Sequence, residues 1–214
     1  MFWSTKEEKR EQVMLPTFDY TDMGFDKIFL WSDTHFGHEV VRDNSNRPWK
    51  NIDLMDNGIL KNAHEVVGQN DLLITVGDLT LHGEQRSNYV EKIIGRLPGK
   101  NILVLGNHDR FKPKWYLNRG FVLVATSLVL PGGVLVTHDP ADATVWPDDK
   151  PVLCGHVHGL FRVLDNVVNV GVDVWNYRPV LLEDALALCS ERRGTRDWSE
   201  VSANRHSEGV FDGK

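Results

Sequence analysis

The sequence predicts an α/β fold, a layered αββα sandwich in which two mixed sheets are flanked by helices. Two observations lead to this prediction. In the first half of the chain, short apolar runs alternate with segments whose apolar residues recur every three or four positions. After residue 120 the apolar runs follow one another closely, which leaves little room for helices and favours antiparallel strands in a second sheet.

The first half contains three strand candidates and two helix candidates. The strands are "KIFLW", "DLLITV" and "NILVL", and their length and branched side chains fit strands that are buried on both faces. The segments "MDNGILKNAHEVVG" and "NYVEKIIGRL" have helical spacing. This alternation favours a parallel sheet with helices packed against it.

The second half contains more strands and one helix. The runs "GVLVT" and "PVLC" read as strands, and "FVLVATSLVLPGGVLV" predicts two strands joined by a tight turn at Pro131. The segment "LLEDALALC" predicts a closing helix.

Length and composition indicate one domain with irregular ends. A chain of 214 residues with 41% hydrophobic residues can bury a substantial core. We expect an N-terminal extension over residues 1–26, a single domain over 27–189, and a loose polar tail over 190–214.

Charge and cysteine content limit the classes of partner. The 24 basic and 30 acidic side chains give a net charge of −6, which argues against a broad nucleic-acid-binding surface. The N-terminus lacks a signal-peptide pattern and no apolar stretch is long enough to span a membrane. Cys154 and Cys189 read as buried reduced thiols, with a disulfide as the alternative, so we expect a cytoplasmic protein. The oligomeric state is not determined by these observations.

Side chains that bind metals or transfer protons follow five of the apolar runs. The segments are "SDTHFGH", "GDLT", "GNHD", "THDP" and "GHVHG". Strand ends meet at one edge of an open α/β sheet, so these segments are predicted to form one crevice. The candidate residues are Asp33, His35, Asp78, Asn107, His108, Asp109, His138, His156 and His158.

The spacing and type of these residues favour a metal site. On an extended chain, side chains two positions apart point to the same side, so Asp33 can reach one point with His35, as can His156 with His158. Carboxylate, amide and imidazole ligands without a thiolate suit Mn, Fe or Zn. The number of imidazoles argues against a calcium site.

The ordered series D-x-H, G-D, G-N-H-D, H and G-H-x-H, from about Lys27 to about Pro179, resembles the calcineurin-like metallophosphoesterases. The segments "SDTHFGH" and "NVGVDVWNYRPV" look closest to short bacterial and phage-type members. The protein phosphatase branch carries G-D-x-x-D-R-G, whereas this chain reads "GDLTLHGEQ", which argues against a protein phosphatase.

This resemblance implies two divalent ions, with Mn first and Fe, Zn or Ni as alternatives. It assigns one ion to Asp33, His35 and His158, the other to Asn107, His138 and His156, and a bridging role to Asp78. It also implies that the catalytic His108 assists the leaving group or the charge of the transition state. The implied reaction is hydrolysis of a phosphodiester or phosphomonoester by in-line attack of metal-activated hydroxide, with nucleotides among the candidate substrates.

Simpler interpretations exist for each residue alone. Asp33 or Asp78 could cap a helix, and Asn107 could occupy a turn, but together these interpretations require five coincidences at five strand ends.

His38 and Arg47 are candidate substrate contacts, with a solvated loop as the alternative. His64, His82 and His206 read as ordinary surface or core residues. A catalytically silent scaffold with the same fold is the alternative function, but no expected ligand is missing.

Overall fold

The computed structural model describes residues 15–81 and 87–190. The first part of the predicted N-terminal extension, the predicted tail from residue 191 onward, and His82 and His206 lie outside the described residues, so the domain boundaries stay a prediction. The described strands are β1 (Ile28–Trp31), β2 (Leu72–Val76), β3 (Lys100–Val104), β4 (Phe121–Ala125), β5 (Ser127–Leu130), β6 (Val134–Thr137), β7 (Val152–Cys154), β8 (Val163–Leu164), β9 (Val167–Asn169) and β10 (Val180–Leu181). The α-helices are α1 (Glu39–Asn44), α2 (Ile52–His64), α3 (Ser87–Ile94), α4 (Pro113–Leu117) and α5 (Leu182–Ser190).

Two five-stranded sheets form the centre of the fold. The first has the order β10-β1-β2-β3-β4, in which β1 to β4 are parallel and β10 is antiparallel to β1. The second has the order β5-β6-β7-β9-β8 and is mixed, because β6, β7 and β9 are parallel while both outer pairs are antiparallel. The predicted class of two mixed sheets flanked by helices is confirmed. In the second sheet, β5 and β8 pair antiparallel with their neighbours as expected, whereas β6, β7 and β9 run parallel to one another.

Apolar side chains fill three layers. Between the sheets, residues of the first sheet such as Ile74 and Val104 pack against residues of the second such as Val136 and Leu153. On the outer face of the first sheet, Trp31 and other apolar residues pack against α2, α3 and α4. The outer face of the second sheet is covered by a 3₁₀ helix at Pro140–Val145 together with neighbouring apolar side chains. Strands β1 and β2 are buried along their whole length because both faces are covered.

The run "FVLVATSLVL" departs from the prediction. It contains two strands that belong to different sheets, since β4 closes the first sheet and β5 begins the second. The chain crosses between the sheets at Thr126, which is exposed. Both strands carry apolar residues, so hydrophobicity alone does not reveal the crossing. The short helices α1 and α4 were not predicted, because five or six residues are too few to show a helical period.

The loops at the carboxyl ends of the central strands are joined by hydrogen bonds. The backbone N–H of His35 donates to the Asp78 carbonyl at 3.0 Å, which ties the loop after β1 to the loop after β2. The N–H of Gly155 donates to the His138 carbonyl at 3.1 Å, which ties the loop after β7 to the end of β6. The N–H of His156 donates to the Asp33 carboxylate at 2.9 Å and so connects the two sheets.

Both cysteines are buried, and neither forms a disulfide. Burial raises the pKa of the Cys154 thiol well above its usual value and that of Cys189 to about 11, so both remain protonated at neutral pH. No helix within residues 15–81 and 87–190 has the length and apolar character needed to cross a bilayer.

Candidate metal centre

Two groups of potential metal ligands meet where the strand-end loops converge. Cluster A consists of Asp33, His35 and His158, and cluster B of Asp78, His138 and His156. Within each cluster, one ligand atom from every residue lies within 4.8 Å of the others. Asn107 adjoins cluster B, with its Oδ1 3.1 Å from Nε2 of His138. The structure therefore brings together every residue that the sequence analysis named as a ligand.

Asp78 lies between the clusters. Its Oδ2 is 3.5 Å from Nε2 of His35 in cluster A and 3.3 Å from Nε2 of His138 in cluster B. Its Oδ1 accepts the backbone N–H of His108 at 2.9 Å, which orients the carboxylate. Although burial opposes ionisation, the hydrogen bond from His138 and the neighbouring imidazoles hold the pKa of Asp78 below its usual range.

The backbone is strained at the clusters. Five cluster residues have φ values in the left-handed region, where a non-glycine residue costs about 1–2 kcal/mol. They are Asp33 (56°), His35 (49°), Asp78 (54°), His156 (72°) and His158 (46°). Strain of this kind persists only where the surroundings impose it, and it is typical of functional sites.

This backbone conformation also explains how two neighbouring histidines serve different clusters. Spacing on an extended chain would direct His156 and His158 to one point, but neither residue is extended. His156 belongs to cluster B and His158 to cluster A, so the argument from extended spacing is wrong here. The division between opposite groups agrees with the one that the family resemblance implied.

In cluster B, a backbone carbonyl orients His138. Nδ1 of His138 lies 2.8 Å from the Val76 carbonyl oxygen, which can only accept a hydrogen bond, so Nδ1 is protonated. Nε2 then faces Asp78 and Asn107. Burial would lower the pKa of His138, but the hydrogen bond to Asp78 and the charges of Asp33 and Asp78 outweigh it and raise the pKa to about 9.

In cluster A, a carboxylate orients His158. Nδ1 of His158 lies 2.8 Å from Oδ2 of Asp173, which follows β9. Asp173 is in turn held by the fork of Arg47, whose Nε and Nη2 donate at 2.8 and 2.9 Å. Metal-binding histidines commonly donate their second ring nitrogen to a carboxylate or carbonyl, and both clusters follow this pattern. Sequence analysis missed Asp173, since nothing local to "NVGVDVWN" links it to a strand-end motif.

His35 fits a metal-binding role. Its side chain is 1% exposed, and among the described residues its Nε2 is buried without a hydrogen-bond partner. Burial lowers the pKa of His35 well below its usual value, which leaves a neutral imidazole with a lone pair. A buried nitrogen without a partner is costly unless a ligand satisfies it. With the carboxylate, amide and imidazole donors around it, the site suits a first-row divalent ion.

Asp109 in the "GNHD" segment holds two loops together. Its carboxylate accepts the backbone N–H groups of Asp78 at 2.9 Å, Leu79 at 3.1 Å and Gly106 at 2.9 Å. Burial and the nearby charge of Asp78 raise the pKa of Asp109 to about 7. The sequence analysis did not assign this structural role to Asp109.

His108 and His38 lie beside cluster A without belonging to it. Their ring centroids are 6.2 Å apart, and the ring of each is 5.3 Å from that of His35. Nδ1 of His108 is buried and has no hydrogen-bond partner among the described residues. His64, in contrast, is an exposed residue of α2 whose Nε2 lies 2.8 Å from the Arg96 carbonyl oxygen.

Arg47, a predicted substrate contact, points away from solvent. Its side chain is 0% exposed, and its nitrogens donate to Asp173 and to the carbonyls of Asp33 and Thr34. This geometry favours a supporting role for Arg47 over the predicted contact with substrate.

A cavity of about 200 Å³ adjoins cluster B. Its lining residues include three that belong to or adjoin the cluster, together with hydroxyl and carboxylate groups. The residues that line the cavity are Leu105, Asn107, Thr126, Thr137, His138, Asp139, Asp142 and His156. Cluster B thus opens onto space large enough for a small ligand.

Comparisons with known proteins find relatives that match most of the chain. The sequence model of the calcineurin-like phosphoesterase family matches residues 27–204. An uncharacterized protein of Methanocaldococcus jannaschii is 28% identical over 190 residues, which cover 84% of this chain and 100% of that protein. The gene 66 protein of Mycobacterium phage D29 is 27% identical over 180 residues, which cover 70% of this chain and 89% of the phage protein.

A solved structure has a similar fold. A protein of unknown function from Aquifex aeolicus superposes with a TM-score of 0.57 at 26% identity, covering 74% of this chain and 96% of that one. The family match covers most of the chain, and the phage relative agrees with the resemblance seen in the motifs. The chain belongs to the calcineurin-like phosphoesterase family.

Proposed function

We propose that this protein hydrolyses phosphate esters with two divalent metal ions, manganese first among the candidates. One ion would be held by cluster A, the other by cluster B with Asn107, and Asp78 would contact both. The observation that carries this proposal is the position of Asp78, whose Oδ2 lies 3.5 Å from His35 and 3.3 Å from His138. A single carboxylate oxygen within reach of both clusters supports a shared ligand.

The charge of the donor set supports an anionic substrate. Asp33 and Asp78 are the carboxylates of the two clusters, and the remaining donors are imidazoles and the amide of Asn107. Two carboxylates leave two divalent ions with a net positive charge, which favours a phosphate ester. When bound, the ions would activate water and neutralise the charge on the phosphoryl oxygens.

We assign His108 the transfer of a proton to the leaving oxygen. Its ring lies 5.3 Å from that of His35, and its buried Nδ1 has no hydrogen-bond partner among the described residues. Its backbone N–H donates to Asp78, so the ring is held next to the clusters without being part of either. A positioned general acid of this kind contributes roughly 10²–10⁴-fold to the rate.

We further propose that His38 contacts the substrate and that phosphodiesters, including nucleotides, are preferred over monoesters. His38 is half-buried beside the rings of His35 and His108. The two buried thiols support a reducing compartment such as the cytoplasm.

The proposal is tested with metal-stripped protein before and after addition of Mn²⁺. Hydrolysis of bis-p-nitrophenyl phosphate and of p-nitrophenyl phosphate would be measured side by side. We expect turnover only with metal, faster on the diester, and lost in Asp78→Asn. Asp71→Asn is the matched control, because Asp71 is also buried and lies at the opposite end of the same strand, where it accepts the Gly68 N–H.

The outcomes separate three interpretations. Metal-dependent turnover in wild type and Asp71→Asn but not in Asp78→Asn supports the phosphoesterase. A preference for the monoester would reject the diester assignment alone. Two bound metals per chain with no turnover of either substrate would contradict the proposal for these esters and favour a metal-binding scaffold.

A further inference from the structure

The guanidinium of Arg47 is buried, and its hydrogen bonds are fully used. Nε and Nη2 donate to the two oxygens of Asp173, Nη1 to the Thr34 carbonyl at 2.9 Å, and Nη2 also to the Asp33 carbonyl at 2.6 Å. The second N–H group of Nη1 donates to Sδ of Met55 at 3.7 Å. An arginine offers five N–H donors in a rigid plane, and here each has an acceptor inside the protein.

Asp173 determines which nitrogen of His158 carries a proton. Both carboxylate oxygens accept hydrogen bonds from Arg47, and Oδ2 also lies 2.8 Å from Nδ1 of His158. A carboxylate paired with arginine only accepts hydrogen bonds, so Nδ1 must be the donor. The lone pair of His158 is then on Nε2, the nitrogen that would bind a metal.

Arg47 also supports the other loop of cluster A. Its hydrogen bonds to the carbonyls of Asp33 and Thr34 hold a stretch of backbone in which Asp33 has φ 56° and His35 has φ 49°. One buried side chain is thus connected to the loop after β1 directly and to the loop after β7 through Asp173. These loops carry all three residues of cluster A.

Stability does not explain this arrangement by itself. Burying an ion pair costs several kcal/mol per ion, and well-packed apolar side chains are often as stable or more stable in its place. The side chains of Arg47 and Asp173 are 0% and 5% exposed, so the cost applies to both. A role in orienting cluster A accounts for contacts that contribute little net stability.

We propose that Arg47 and Asp173 are positioning residues that hold His158 in its Nδ1–H tautomer and the Asp33 loop in place. They thereby determine the metal affinity of cluster A and not that of cluster B. In cluster B the equivalent hydrogen bond of His138 goes to the Val76 carbonyl, which no side-chain substitution removes.

The first test reads the tautomer directly and needs no metal. Long-range ¹H–¹⁵N NMR of histidine rings in chelator-treated protein, recorded at a pH high enough for the ring to be neutral, should show His158 protonated on Nδ1 alone, with the signal assigned by its absence in His158→Gln. In Asp173→Asn an amide group replaces one acceptor by a donor, so we expect the His158 population to shift toward the Nε2–H form. An Nε2–H ring in wild type, or an unchanged Nδ1–H ring in the variant, would overturn the proposal.

The second test measures selectivity, and it rests on the proposed metal-binding function. Titration calorimetry with Mn²⁺ should show one ion bound roughly 10–100-fold more weakly in Asp173→Asn, with the other unchanged. Asp71→Asn should bind both ions as wild type does. Equal weakening of both ions, or of neither, would contradict the proposal.

A further variant, Arg47→Lys, covers the case in which Asp173→Asn does not fold. Arg47→Lys retains the charge but cannot donate two hydrogen bonds to Asp173 as the guanidinium does. We therefore expect metal binding at cluster A to be weakened selectively, but to a smaller extent. If neither variant folds, the wild-type tautomer still decides the question. A wild-type protein that binds no metal would reject the proposed function while leaving the tautomer result interpretable.

Discussion

Clusters A and B use similar ligands but are supported differently. In cluster A, His158 is oriented by a side chain, Asp173, which depends on the buried Arg47. In cluster B, His138 is oriented by the Val76 carbonyl, which is part of strand β2. Cluster B also adjoins the exposed Asn107 and the cavity of about 200 Å³.

This difference indicates how each cluster can change. Support from the main chain persists as long as the strand exists, whereas support from a side-chain pair can be removed by one substitution. A cavity lies beside cluster B, so we expect the substrate to approach from that side. In cluster A, Asp33 and His35 are buried.

The largest effect is expected where the clusters meet. Asp78→Asn removes the negative charge of the carboxylate that contacts both clusters, so both metals should bind more weakly and turnover should fall by at least ~10³-fold. Metal content by mass spectrometry and diester hydrolysis would measure this, with Asp71→Asn as the control. A variant that loses only one metal would show that Asp78 belongs to a single cluster.

A large effect confined to turnover is expected beside the clusters. His108→Ala should keep both metals and lose about 10²–10⁴-fold in kcat, because His108 is proposed to move a proton and not to bind metal. Loss of either metal in this variant, measured in the same samples, would mean that its assigned role is wrong.

The clusters should also differ in their response to pH when metal is removed by a chelator. The pKa of His138 is raised to about 9, so the stability from its charged form is fully present below about 6.5 and is lost as pH rises through 9. We expect the unfolding free energy to fall by about 3 kcal/mol across this range. Burial lowers the pKa of His35 in cluster A, so its contribution has the opposite sign and is lost as pH falls below about 6.5. His158 of cluster A contributes with the same sign as His138, because burial is outweighed by the hydrogen bond to Asp173, which raises the pKa of His158.

Urea unfolding at several pH values, with His138→Gln as the comparison, would measure this dependence. The decline above pH 6.5 should be smaller in the variant. An equal decline in both proteins would mean that His138 is not its source.

The smallest effects are expected from alanine substitutions of two glycines, one beside each cluster. A Cβ on Gly155 would overlap the Ser32 side chain and lie 2.7 Å from Oδ2 of Asp33, whereas a Cβ on Gly77 would overlap Nδ1 of His138. Each alanine substitution should destabilise the fold by about 1–3 kcal/mol. Gly155→Ala should weaken metal binding mainly at cluster A and Gly77→Ala mainly at cluster B.

Gly159→Ala is the matched control, since a Cβ there would meet nothing within 4 Å. Thermal unfolding and metal titration of the three variants would distinguish the clusters. A Gly159→Ala protein as destabilised as Gly155→Ala would show that steric contact is not the cause.

Much of the candidate site could be predicted because its residues follow apolar strands directly. Asp33, Asp78 and His138 each lie within two residues of a strand end, a relation visible in the linear sequence. The resemblance to a family supplied the assignment of His156 and His158 to different clusters, whereas extended spacing would have directed both to one point. Their positive φ values arise from tertiary contacts, so no local pattern predicts them.

The sequence by itself determined the α/β class, the ligand types and their order along the chain, because hydrophobic period and strand-end residues are local properties. Only the tertiary structure decided that β4 and β5 belong to different sheets and that Arg47 is buried against Asp173, 126 positions away. An apolar strand has the same hydrophobic pattern in either sheet, and an ion pair between distant residues leaves no periodic pattern in the sequence. Such pairings depend on how the two sheets pack, and packing is a property of the whole chain.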